Sequence, residues 1–136
     1  MKQFICFILM LVLFISCSSS IEKSDGLQSD TIQQSIKEAY CNYKEQTVSI
    51  FMKGNSWIIS NVFVDGKVIA IDEQKSIPYS IYGDWFIITR TSEQKIIVSI
   101  NENLTGKVRK LQVVLADRNF YTYTTIKQET VGDVNL

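Results

Sequence analysis

Histidine is absent from the 136 residues, and proline occurs once, at Pro78. Without an imidazole, the common Ser-His and Cys-His nucleophile pairs cannot be assembled. Cysteine is almost as scarce, with three, at Cys6, Cys17 and Cys41. Neither sign of charge is in excess: 14 basic side chains stand against 14 acidic ones, which steers the chain to neither nucleic acid nor anionic lipid. Phosphate loops, Cys-x-x-Cys pairs and calcium loops are missing too, so no cofactor and no metal is implied. Paired carboxylates could still serve a glycosidase. The acids, however, among them Asp65, Asp72, Asp84 and Glu102, fall in turns and connections, and the chain reads as non-catalytic.

Also missing is an apolar run long enough to span a bilayer. The longest, Phe4 to Ile15, is about 12 residues, where a membrane helix needs ~20. With Lys2 before it and small polar residues after it, the run reads as the hydrophobic segment of a signal peptide. Leu13, Phe14, Ile15 and Ser16 then resemble the lipobox of bacterial lipoproteins. That resemblance implies cleavage after Ser16 and lipid on Cys17, hence a protein held in the cell envelope by lipid, at the periplasmic or the surface face of the outer membrane. An ordinary secretory peptide is the alternative. Cys6 would leave with the signal and Cys17 carry lipid, so only Cys41 would remain and no internal disulfide could form. Cys41 reads either as a small residue on a helix face or as a thiol that is free or bridged to another molecule.

The organisation follows from composition. Residues 1–16 are the signal, and 17–29, polar and small, form a flexible tether. Residues 30–44 read as a short amphipathic helix: Asp30 can cap it, and Ile32, Ile36, Ala39, Tyr40 and Tyr43 recur at helical spacing. From 45 to 130 the texture is β, and 131–136 is a tail. Seven runs rich in Val, Ile, Thr and aromatics alternate with turn residues, and Asp65-Gly66 is a strong hairpin signal. The runs "WFIIT" and "KIIVSI" are apolar on both faces and should be central. The fold class is therefore all-β, a two-sheet antiparallel sandwich of immunoglobulin-like type, with a barrel as the alternative. One domain of this size is expected as a monomer.

Between Gly83 and Glu129, Trp85, a strand at Ile96 to Ile100, the turn residues Asn103, Gly106 and Arg109, and a closing strand at Ile126 and Gln128 follow in order. Upstream, "VSIFMKGNSWIIS" supplies an opening strand, a turn and Trp57. This arrangement resembles the BACON domain (Bacteroidetes-associated carbohydrate-binding often N-terminal). The resemblance implies an immunoglobulin-like sandwich that accompanies glycan-processing proteins. Asn103 is expected to bond its own turn and tolerate a left-handed backbone, Gly106 to supply positive φ, and Arg109 to reach carbonyls or a carboxylate.

The candidate binding residues lie in "PYSIYGDW": Tyr79, Tyr82 and Trp85 as rings for a sugar face, with Asp84 as a hydroxyl acceptor. The preferred alternative is that Trp85 fills the core, as the resemblance implies, and the tyrosines edge a strand. In the mixed outcome, Tyr79 is exposed and Tyr82 partly covered. The candidate partners are the membrane, through Cys17, and a glycan or an envelope protein.

Overall fold

The computed structural model describes Ser18–Ser19 and residues 32–54, 56–72 and 76–133. The expected signal, Cys17, most of the tether and Asp30 lie outside these residues. Eleven strands are present among them: β1 Ser18–Ser19, β2 Gln33–Gln34, β3 Glu38–Cys41, β4 Gln46–Lys53, β5 Ile58–Val64, β6 Lys67–Ile69, β7 Tyr79–Tyr82, β8 Phe86–Ser92, β9 Lys95–Ile100, β10 Arg109–Asp117 and β11 Phe120–Gln128. They form two sheets, ordered β1-β3-β11-β10-β5-β6 (sheet I) and β2-β4-β9-β8-β7 (sheet II). Every pairing is antiparallel except that of β3 with β11. Taking β4, β5, β8, β9, β10 and β11 as B, C, D, E, F and G reproduces the two sheets of an immunoglobulin-like sandwich. The sandwich is the fold, and the barrel alternative falls away.

The core lies between the sheets and follows the period-2 rule of pleated strands. Val48, Ile50 and Met52 of β4, Ile88 of β8, Ile96, Val98 and Ile100 of β9, and Leu111, Val113 and Leu115 of β10 all face inward and are buried. The two doubly apolar runs, β8 and β9, are central in sheet II, as their composition required. At the β5–β6 hairpin, Asp65 and Gly66 take φ of 49° and 82°, the two left-handed residues that a type I′ turn needs.

The short helix expected over 30–44 is not formed. The described part of that stretch is extended, with β2 paired to β4 in sheet II and β3 paired to β11 in sheet I. Helical spacing would bury Ala39, Tyr40 and Tyr43 on one side, whereas Ala39 and Cys41 are buried on alternate positions and Tyr40 is exposed. An isolated helix of this length is marginal in water, and both sheets offer it unpaired strand edges. Backbone pairing therefore overrides the local periodicity. Cys41 is buried as a small residue, on a strand rather than a helix. The same edge effect accounts for Ser18–Ser19, which fall in the expected tether yet pair with β3.

Trp57, 1 % exposed, closes one end of the core just before β5. Trp57→Ala is expected to lower the unfolding free energy by about 3–5 kcal/mol, the range for emptying a large aromatic site. Urea unfolding followed by far-ultraviolet dichroism checks this, and a loss under about 1 kcal/mol would contradict the packing described.

Candidate functional site

The four residues singled out from sequence do not form one platform. β7 alternates, so Tyr79 and Ile81 turn toward the core while Ser80 and Tyr82 turn outward. Tyr79 is half-buried and packs against the core, whereas Tyr82 is 74 % exposed, the reverse of the mixed expectation. Asp84 is exposed. Trp85 is buried, with its ring edge-on to Phe86 at 5.1 Å. Gly83 donates its N–H to the Phe86 carbonyl at 2.9 Å, and a Cβ there would run into the Phe86 ring. The turn thus has to be glycine, and its first duty is to seat Trp85 and Phe86.

Trp57 and Trp85 mark opposite ends of the sandwich, and each is covered by an arginine from across the core. At the Trp57 end, Arg90 of β8 lies 3.6 Å from the ring centroid and donates to the Trp57 carbonyl at 2.7 Å and the Glu93 carbonyl at 3.1 Å. Arg90 also hydrogen-bonds the phenol of Tyr79, its register partner on β7. Burial pushes the Tyr79 pKa up, and the bond and charge of Arg90 oppose that shift. Sequence reading passed over Arg90. The available signal was phase: in "WFIITR" it falls on the same face as Phe86 and Ile88.

At the Trp85 end, Arg109 lies 5.1 Å from the ring and donates to the Glu102 carbonyl at 3.4 Å. Burial lowers the Arg109 pKa, and the charge of Asp65 partly restores it. The turn residues act structurally here. Asn103 is fully buried; its amide donates to the Lys107 carbonyl at 2.8 Å and the Glu129 carbonyl at 3.1 Å, and its Oδ1 accepts from the Thr105 hydroxyl at 2.7 Å. The positive φ, 79°, belongs to Gly106; Asn103 works through its side chain. Gln128 joins the loops by donating to the Asn101 carbonyl at 2.9 Å.

The open aromatic surface lies elsewhere, on the solvent face of sheet I. On β11, Thr124 and Ile126 point inward, so Tyr121 and Tyr123 point outward, 69 % and 58 % exposed. Across the sheet, Tyr123 faces Val114 and then Asn61, while Tyr121 faces Ala116 and then Ile58. Exposed Phe120 and Ile58 border this group, and exposed Val68 stands beyond, opposite Phe63. Toward the Trp85 end the same face becomes polar, through Gln112, Thr125, Lys127 and Glu38. Only the phase of "FYTYTTIKQ" could have pointed to these tyrosines: Ile126 must face in, which turns Tyr121 and Tyr123 out.

The shift at Tyr79 has a testable sign. A phenol whose folded pKa is raised above the unfolded value of about 10 contributes stability below that value and loses it as pH rises through the folded pKa. Wild type should therefore lose stability above about pH 10 more steeply than Tyr79→Phe, in chemical denaturation followed at several pH values. Parallel profiles would show that Tyr79 ionises in the folded domain as it does unfolded.

No family model and no curated protein matches the chain. Among solved structures, it is similar to the NMR structure of a protein from Bacteroides thetaiotaomicron, at 22 % identity, covering 82 % of this chain and 97 % of that one, with a TM-score of 0.61. At that identity the likeness carries the sandwich fold and nothing about activity.

Proposed function

We propose that the chain is a non-catalytic, lipid-anchored module of the cell envelope, BACON-like, which holds glycan against the aromatic solvent face of sheet I. The observation that carries this reading is the pair Tyr121 and Tyr123, open to solvent on the half of β11 that pairs with β10 alone, before its pairing with β3 begins at Thr125. Their rings offer apolar faces for the C–H side of a pyranose, and Asn61 and Gln112 lie on neighbouring strands as donors and acceptors for hydroxyls. The absence of histidine from the sequence and the burial of Cys41 favour binding over catalysis. Tyr82 and Asp84 are the exposed members of the group first read from sequence and supply a second, smaller patch on sheet II.

An anchored spacer or protein-docking domain is the second reading. What favours it is the aliphatic border of the same face, Ile58 and Val68, which suits a protein surface better than a sugar.

Retention of the mature domain on immobilised glycans separates the two readings. Tyr121→Ala with Tyr123→Ala should abolish retention while changing stability by less than about 1 kcal/mol, as at surface sites. Retention that persists in this variant and fails in Tyr82→Ala would move the site to sheet II. No retention by wild type would leave the spacer. The anchor has its own test: the wild type should label with palmitate and partition into detergent, and Cys17→Ala should lose both.

A further inference from the structure

We propose that the Trp85 end of the sandwich rests on the lipid bilayer, with Leu104 and Val108 lodged at the boundary between head groups and acyl chains. This rests on the reading of Cys17 as the lipid-bearing residue. The first observation is strand register. Ser18 pairs with Tyr40 and Ser19 with Ala39, antiparallel to β3. β3 runs toward the Trp85 end, where the Cys41 carbonyl accepts from Glu129 N–H at 2.9 Å. Followed backward from Ser19 to Ser18, the chain therefore heads for that same end. Cys17 is the next residue, one Cα–Cα step of about 3.8 Å away. With β1 paired, little chain separates an acyl group on Cys17 from the domain.

The second observation is the loop waiting there. Leu104 is 65 % exposed and Val108 52 %, both in the segment between β9 and β10. That loop is held by Asn103, by Thr105 and by the bond from Gly106 N–H to the Thr130 hydroxyl, none of which uses either aliphatic side chain. A stiff frame thus presents two apolar side chains that it does not need for its own packing. Lys44 and Lys107, exposed at the same end, can lay their stems on an apolar boundary and extend their ammonium groups to head-group phosphates. Glu45, Glu102 and Glu129 are exposed at this end as well, so the contact is apolar in origin and requires no excess of anionic lipid. In this orientation the aromatic group at Phe120, Tyr121 and Tyr123, near the opposite end, points away from the membrane.

The test uses the full-length lipidated protein in vesicles of phosphatidylethanolamine and phosphatidylglycerol. Cys41 is buried and Cys17 is acylated, so Leu104→Cys introduces the one accessible thiol for a polarity-sensitive dye, and Gln94→Cys places the same dye at the Trp57 end. The dye at 104 should shift to the blue on vesicles and be quenched by nitroxide-labelled acyl chains, while the dye at 94 stays water-like. Protein that floats with vesicles yet leaves the dye at 104 as water-like as that at 94 overturns the orientation and spares the anchor. Protein that does not float takes the anchor and the orientation down together. Shielding at 104 in native envelopes but not in protein-free vesicles would assign Leu104 and Val108 to a protein partner and overturn the lipid contact.

Discussion

The guanidinium of Arg90 is the constraint around which one end of the sandwich is arranged. It sits on the inward stripe of β8, in line with Phe86 and Ile88, where a charge costs several kcal/mol unless it is satisfied. It is satisfied from both sheets: the Trp57 ring and carbonyl precede β5 of sheet I, and the Glu93 carbonyl and Tyr79 phenol belong to sheet II. A cation over a desolvated tryptophan contributes about 2 kcal/mol, and the planar fork of arginine reaches several carbonyls that lysine would have to choose among. Arg90 therefore fixes how sheet II is placed against sheet I as well as filling space. The buried Trp57, the half-buried Tyr79 and the Ser92 to Lys95 turn all take their positions from it.

The Trp85 end solves the same problem with neutral groups. A sandwich closed by loops leaves carbonyls and N–H groups pointing inward that strands cannot pair. Asn103 and Gln128, both fully buried, collect the carbonyls of Asn101, Lys107 and Glu129. Arg109 then closes over Trp85. This explains why the turn residues Asn103, Gly106 and Arg109 are spent on architecture. A ligand seeking open side chains at that turn meets Leu104 and Val108 instead.

Binding capacity is left to the surfaces that packing does not consume. On sheet I the solvent face is graded, aromatic near the Trp57 end and charged toward the Trp85 end, where Lys127 lies over Tyr40 at 5.5 Å and the Tyr40 hydroxyl donates to Glu38 at 3.3 Å. Such a gradient gives the face a direction. In the proposed orientation, with lipid at one end and the open tyrosines toward the other, anchoring and ligand binding would not compete for the same surface.

Much of this was legible in the residues themselves. The β texture from 45 to 130 was legible in Val, Ile, Thr and aromatic runs, and the Asp65-Gly66 turn because two left-handed residues in succession admit few sequences. The doubly apolar runs announced the central strands. Three things were decided only by tertiary structure. Gln33–Gln34 and Glu38–Cys41 became strands because two sheets had edges to offer, a contact that no local periodicity encodes. Which of Tyr79 and Tyr82 faces the core was set by the register of β7 on β8, and a slip of one residue would have exchanged them. Arg90 entered the core because Trp57, 33 positions earlier in the chain, supplied the ring and carbonyl that make a buried charge tolerable. Sequence determines which segments can be strands and which turns join them; the long-range pairing of backbone edges and charges decides which face each side chain presents, and with it where a ligand can be met.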